Sequence, residues 1–125
     1  MRYFPQEKKY TCVLACLRMI LSHFIMNIPN EFELELELGT TEKGTQVDTA
    51  LLYLQRLGFW WRKIGYNELS IDNPIICLSK KDEVAHMTII VCKQNEKVQI
   101  YDPEKGILEV DFQEIINHNF IEIGI

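Results

Sequence analysis

Gln6, Cys12, His86 and Asp102 are the residues in this 125-residue chain whose types and spacing suit the breaking of an acyl bond. A cysteine thiol is mostly protonated at neutral pH, and its thiolate is the nucleophile. Cys12 follows Thr11, a residue type that caps helices, and opens an apolar pattern of helical period. In the first turn of a helix a thiol meets unpaired N–H groups and the positive end of the dipole, which favours the thiolate. An imidazole beside it holds an ion pair and later protonates the leaving group. A carboxylate on the other ring nitrogen sets the tautomer and orientation of that imidazole. Gln6 offers an amide donor that, with the backbone N–H of Cys12, would make an oxyanion hole.

His86 opens the run "HMTIIVCK" and Asp102 closes the run "KVQIYD". A hairpin turning around Gln94-Asn95-Glu96 in a simple register sets residue 91 opposite 97, and therefore 86 opposite 102. Directly opposed residues on antiparallel strands share a face with Cβ atoms roughly 5 Å apart, and a one-residue slip destroys that facing. The hairpin thus predicts a His–Asp pair at its open end.

The elements that must position these residues follow from periodicity. Val13, Cys16, Leu17, Ile20, Leu21 and Phe24 recur at helical spacing after Thr11, and Pro29 closes the region. "EFELELELG" alternates like a strand, but glutamate and leucine are helix formers and no β-branched residue occurs in it, so a short helix is expected. "GTTEKGT" reads as a loop, after which Thr45 is expected to cap a helix that runs to Gly58. From there "FWWRKI", "PIICLS", "HMTIIVCK", "KVQIYD", "GILEVD" and "FIEIGI" read as strands, with a helical turn or two in "FQEIINH". Helices followed by antiparallel strands predict an α+β fold, as one domain over residues 1–125.

Composition narrows the function. The chain is 47% hydrophobic and 25% charged, enough for its own core, and a net charge of -5 removes the electrostatic footprint of a nucleic-acid binder. Two disulfides among Cys12, Cys16, Cys77 and Cys92 are arithmetically allowed. Cys77 and Cys92 sit in strand-like apolar runs, however, and free thiols in a reducing compartment are expected. Cys12 and Cys16 lack a nearby histidine to complete a zinc site, so neither metal nor cofactor is implied. The N-terminus lacks the pattern of a secretory signal and no stretch is apolar enough to span a bilayer. Synthesis in the cytoplasm is expected, with export as an effector through a specialised system left open.

Each feature also has a plainer reading. Cys12 by itself is an ordinary helix cysteine, and Cys16, Cys77 and Cys92 are expected to pack. His23 and His118 are expected near helix ends, where a cation suits the dipole. Asp102-Pro103 is also a common turn opener. Trp60-Trp61 fit either a groove lining or a half-buried strand. The acidic run from Glu31 to Glu37 is expected to be a solvated face.

Gln6 ahead of Cys12 at a helix start, "GTTEKGT" before a helix ending "LGF", His86 before an apolar strand, and "YDP" occur in one order. In these features the chain resembles the bacteriocin-processing cysteine peptidases, the papain-like double-glycine peptidase domains usually fused to ABC exporters. The resemblance spans roughly residues 4–112. It implies a papain-like fold, Cys12 as nucleophile, His86 as base and acid, Asp102 as the orienting residue and Gln6 as oxyanion donor. It further implies a cut after a Gly-Gly pair in a peptide or protein held in a tunnel too narrow for larger residues. Two departures stand out. The family usually has Asp-Cys-Gly where this chain has Thr11-Cys12-Val13, and a free-standing unit, without the usual transporter, is expected. A free-standing unit would serve a transporter in trans, or act as a toxic effector held by an immunity protein. A transglutaminase or deamidase using the same thioester, and a peptide-binding module that does not cut, remain as alternatives at this stage.

Overall fold

In the computed structural model, residues 1–25, 27–69, 72–81 and 84–125 are described, with the side chains of 80, 81, 84 and 85 left aside. Helix α1 (Cys12–Phe24) is the centre of the core: Leu14, Cys16, Leu17, Met19, Ile20 and Leu21 are fully buried. Thr11 accepts the first helical bond through its carbonyl, from Ala15 N at 3.0 Å, but its side chain does not cap the helix. Propensity wins over period in the Glu-Leu run, which forms helix α2 (Glu31–Leu38). Asn30 caps it by accepting from Glu33 N at 2.8 Å, and Gly39 closes it at φ +64°. Because a period of two cannot follow one helical face, Leu34 is buried while Phe32 and Leu36 stay exposed.

Helix α3 (Val47–Arg56) begins later than the sequence suggests. Gln46 holds the cap position, and the Thr45 hydroxyl is bonded instead to that of Thr40 at 2.7 Å. Strands β1 (Trp60–Ile64), β2 (Ile75–Lys81), β3 (Val84–Gln94), β4 (Lys97–Asp102), β5 (Gly106–Asp111) and β6 (Asn119–Gly124) form one antiparallel sheet in the order β1-β6-β2-β3-β4-β5. Ile76, Met87, Ile89, Ile121 and Ile123 meet the helices on one face. Ile75, Cys77, Ile90, Ile100 and Phe120 form a smaller core on the other, covered by Ile115. Burial on both faces explains the nearly continuous apolar runs of β2 and β3. All four cysteines are free thiols, and no helix among the described residues is long and apolar enough to cross a membrane.

The β3–β4 register differs from the simple one. Gln94 pairs with Lys97, so the turn is only Asn95-Glu96, with Asn95 at φ +56°. Carried straight along both strands, that pairing would put 86 and 102 on opposite faces. A bulge between Ile90 and Cys92 takes up one residue, and beyond it Ile89 pairs with Tyr101. Continued, this sets Thr88 opposite Asp102, with His86 one diagonal step further on the same face. The pairing of 86 with 102 in sequence register is thus corrected by two residues, and the shared face survives.

Candidate active site

Cys12 is the first residue of α1, His86 lies near the start of β3 and Asp102 ends β4. Antiparallel pairing brings the last two to the same end of the sheet. The level of the helix is set from the core. One turn into α1, the Cys16 thiol donates to the carbonyl of Met87 at 3.3 Å. Cys12 is one turn before Cys16 and His86 one residue before Met87, so this bond brings the helix start beside the imidazole. Burial pushes the Cys16 thiol well above its usual pKa, as suits a packing residue.

The partly buried His86 ring joins the two flanking groups. Its Nε2 lies 3.0 Å from Asp102 Oδ1, and the Cys12 side chain is the neighbour that most favours its protonated form. With Nε2 engaged by the carboxylate, Nδ1 is the nitrogen left for the thiol. Cys12 is the largest cause that raises the His86 pKa to about 9; burial opposes it, and the Asp102 carboxylate adds to it. Asp102 is itself buried, and its Oδ1 also accepts from Glu104 N at 2.9 Å and Lys105 N at 3.1 Å. The turn-opening and His-orienting readings of Asp102 therefore describe one carboxylate. Its backbone carbonyl accepts from the Tyr3 hydroxyl at 2.6 Å.

Gln6 sits on the approach loop, tied to the Asp102 turn by its backbone N–H, which donates to Pro103 O at 2.9 Å. Its Nε2 donates to Lys8 O at 2.9 Å and Lys9 O at 3.2 Å, and its buried Oε1 has no partner among the described residues. Two carbonyl neighbours fix which end of the amide is the donor. The amide is thus anchored in its own loop and not bonded to Cys12. Val13, next to Cys12, is buried with the main core.

Three supporting residues carry no motif of their own. Thr11 is fully buried, and its hydroxyl accepts from Lys8 N and reaches Lys8 O, both at 3.0 Å. Glu31, expected on a solvated face, is buried and accepts from Glu7 N with both oxygens at 3.3 and 3.2 Å. Tyr3 holds Asp102. For Glu31 and Tyr3 only long-range pairing reveals these roles, and for Thr11 a turn back to Lys8 does; an apolar-polar pattern shows none of them. His23 lies in the last turn of α1, as expected. Burial lowers its pKa and that of His118, whose Nδ1 meets the Cys77 thiol at 3.4 Å. Among the described residues no group of three or more His, Cys, Asp or Glu is placed to hold a metal ion.

The whole architecture is shared with known peptidase domains. It matches the peptidase domain of Streptococcus ComA, a bifunctional ABC transporter of a quorum-sensing pathway, at 21% identity and TM-score 0.80, over 98% of each chain. A double-glycine motif protease from an AMS/PCAT transporter, solved with a leader peptide, matches at 16% identity and TM-score 0.81, over 98% of this chain and 90% of the other. The peptidase domain of Streptococcus mutans ComA gives 20% identity and TM-score 0.70, with both chains fully covered. At these identities the likeness shows the fold: three helices on a six-stranded antiparallel sheet. No curated protein matches the chain by sequence. The family model described as the peptidase C39 family matches residues 1–123, and the chain accordingly belongs to that family and is a cysteine peptidase.

Proposed function

We propose that the chain cuts a peptide after a Gly-Gly type site through Cys12, His86, Asp102 and Gln6, and that its substrate is a leader-bearing peptide. The observation that carries this reading is the His86 ring, 3.0 Å from Asp102 Oδ1 and with the Cys12 side chain as the leading influence on its proton. The Cys12 thiolate attacks the carbonyl carbon after the small residue, and the oxygen takes the negative charge. The Cys12 backbone N–H and Gln6 Nε2 stabilise that charge, Gln6 exchanging its longer bond to Lys9 O for the substrate oxygen. As the C–N bond breaks, imidazolium His86 gives its proton to the departing amine and a thioester remains. His86, now neutral, takes a proton from water; the water adds to the thioester and the acid leaves, restoring the thiolate.

A groove of about 570 Å³ between α3 and the sheet gives a peptide somewhere to lie. Leu51, Trp61, Tyr66, Leu78 and Phe120 are among its lining residues, and Leu78 precedes Ser79, which pairs with His86. Leader maturation is favoured over an effector role because the similar double-glycine protease was solved with a leader peptide. The test compares wild type with Cys12→Ala on a peptide containing Gly-Gly, read by mass spectrometry. Fragments from wild type alone are expected. Equal cleavage by both proteins would remove Cys12 from the role, and an uncut product heavier by about one dalton would indicate a deamidase.

A further inference from the structure

We propose that Glu31 on α2 is a positioning residue that holds the loop carrying Gln6 and leading into Cys12. The inference rests on the peptidase reading above. Residues 7–9 of this loop are exposed, so no packed side chain among them fixes their path. The loop is held at one end by Gln6 N on Pro103 O at 2.9 Å. In its middle the buried Glu31 carboxylate accepts from Glu7 N with both oxygens, and the Thr11 side chain is among the neighbours that favour its charged form. Thr11 in turn holds Lys8 N. The carbonyls of Lys8 and Lys9, which fix the Gln6 amide, belong to this same short turn. Glu31 therefore acts on Gln6 through the backbone between them.

The choice of a carboxylate here has a cost. A buried charge is unfavourable unless paired or fully bonded. Glu31 forms no ion pair among the described residues; Arg18, whose charge attracts it, is paired with Glu7 at 3.5 Å and bonded to Pro29 O at 3.0 Å. Glu35 makes a second link from the same helix, an ion pair with Lys8 at 3.1 Å, but that lysine is half exposed and such pairs contribute little. A side chain of the same length without acceptors would fill the space and remove the buried charge. The first turn of α2 suits a negative charge, and the carboxylate placed there also holds the Glu7 N–H, next to Gln6.

The test uses Glu31→Met, which keeps the volume and loses the acceptor, and Glu31→Gln, which keeps one acceptor oxygen. Steady-state cleavage of a Gly-Gly peptide is measured with wild type and both variants, together with urea unfolding. Glu31→Met is expected to unfold at a similar urea concentration, the relief of a buried charge offsetting the lost acceptor and helix-end charge, yet to lose about tenfold in kcat with KM within twofold, as small misplacements of catalytic groups do. Glu31→Gln is expected to recover most of kcat. Unchanged kcat in Glu31→Met would overturn the proposal, as would a loss of kcat that follows a loss of stability and is not rescued by Gln. If wild type itself leaves the peptide intact, the peptidase reading fails first. Cleavage by wild type and both variants alike sinks only the role of Glu31.

Discussion

His86 concentrates the pH behaviour of the site in one residue. Its pKa is raised to about 9, with Cys12 as the leading cause and Asp102 supporting it. A raised histidine keeps its proton up to the folded value, so the imidazolium, which in the proposed mechanism protonates the leaving amine, persists through neutral pH and is lost as pH rises through about 9. A pH profile of kcat/KM on the Gly-Gly peptide is expected to fall on its basic side there, and not at the ordinary histidine value of about 6.5. Asp102→Asn removes one of the raising influences, and its basic limb is expected at lower pH. The residue types and order of this group were legible in the chain, because chemistry restricts which side chains can do the work. Glu31 and Thr11 were not, since a buried acceptor and a buried hydroxyl look like any polar residue until their partners are in place.

At the scale of elements, the β3–β4 hairpin does most of the aligning. Its two-residue turn needs Asn95 at φ +56°, a conformation that suits Asn or Gly and strains branched side chains. Asn95→Gly is expected to keep or add about 0.5 kcal/mol, and Asn95→Val to lose about 1 kcal/mol or more, both read from denaturant midpoints. The strands were readable from β-branched and aromatic runs, and the Glu-Leu helix from propensity. The bulge near Val91 was not, because no residue type in "TIIVCK" marks it. The start of α3 was misread for a related reason: Thr45 finds Thr40 across the loop and leaves the cap to Gln46. Capping propensity is local, and a tertiary partner overrode it.

Across the whole molecule, the site exists only where two layers meet. Cys12 belongs to the helical layer, His86 and Asp102 to the sheet, and the packing of α1 on β3 keeps them together. Leu17, on α1, is fully buried in the main core. Leu17→Ala is expected to cost about 2–5 kcal/mol in urea unfolding and to slow alkylation of Cys12 by iodoacetamide as the helix loses its level against His86. The sequence by itself determined the class of fold, the place of Cys12 at a helix start and the order of the four residues, because periodicity and side-chain chemistry are local properties. Only the tertiary structure decided the register that brings His86 to Asp102, the burial of Val13, the anchoring of Gln6 within its loop and the part taken by Glu31. Each of those depends on which distant groups come within hydrogen-bond or packing range, and no spacing along one strand or helix specifies that.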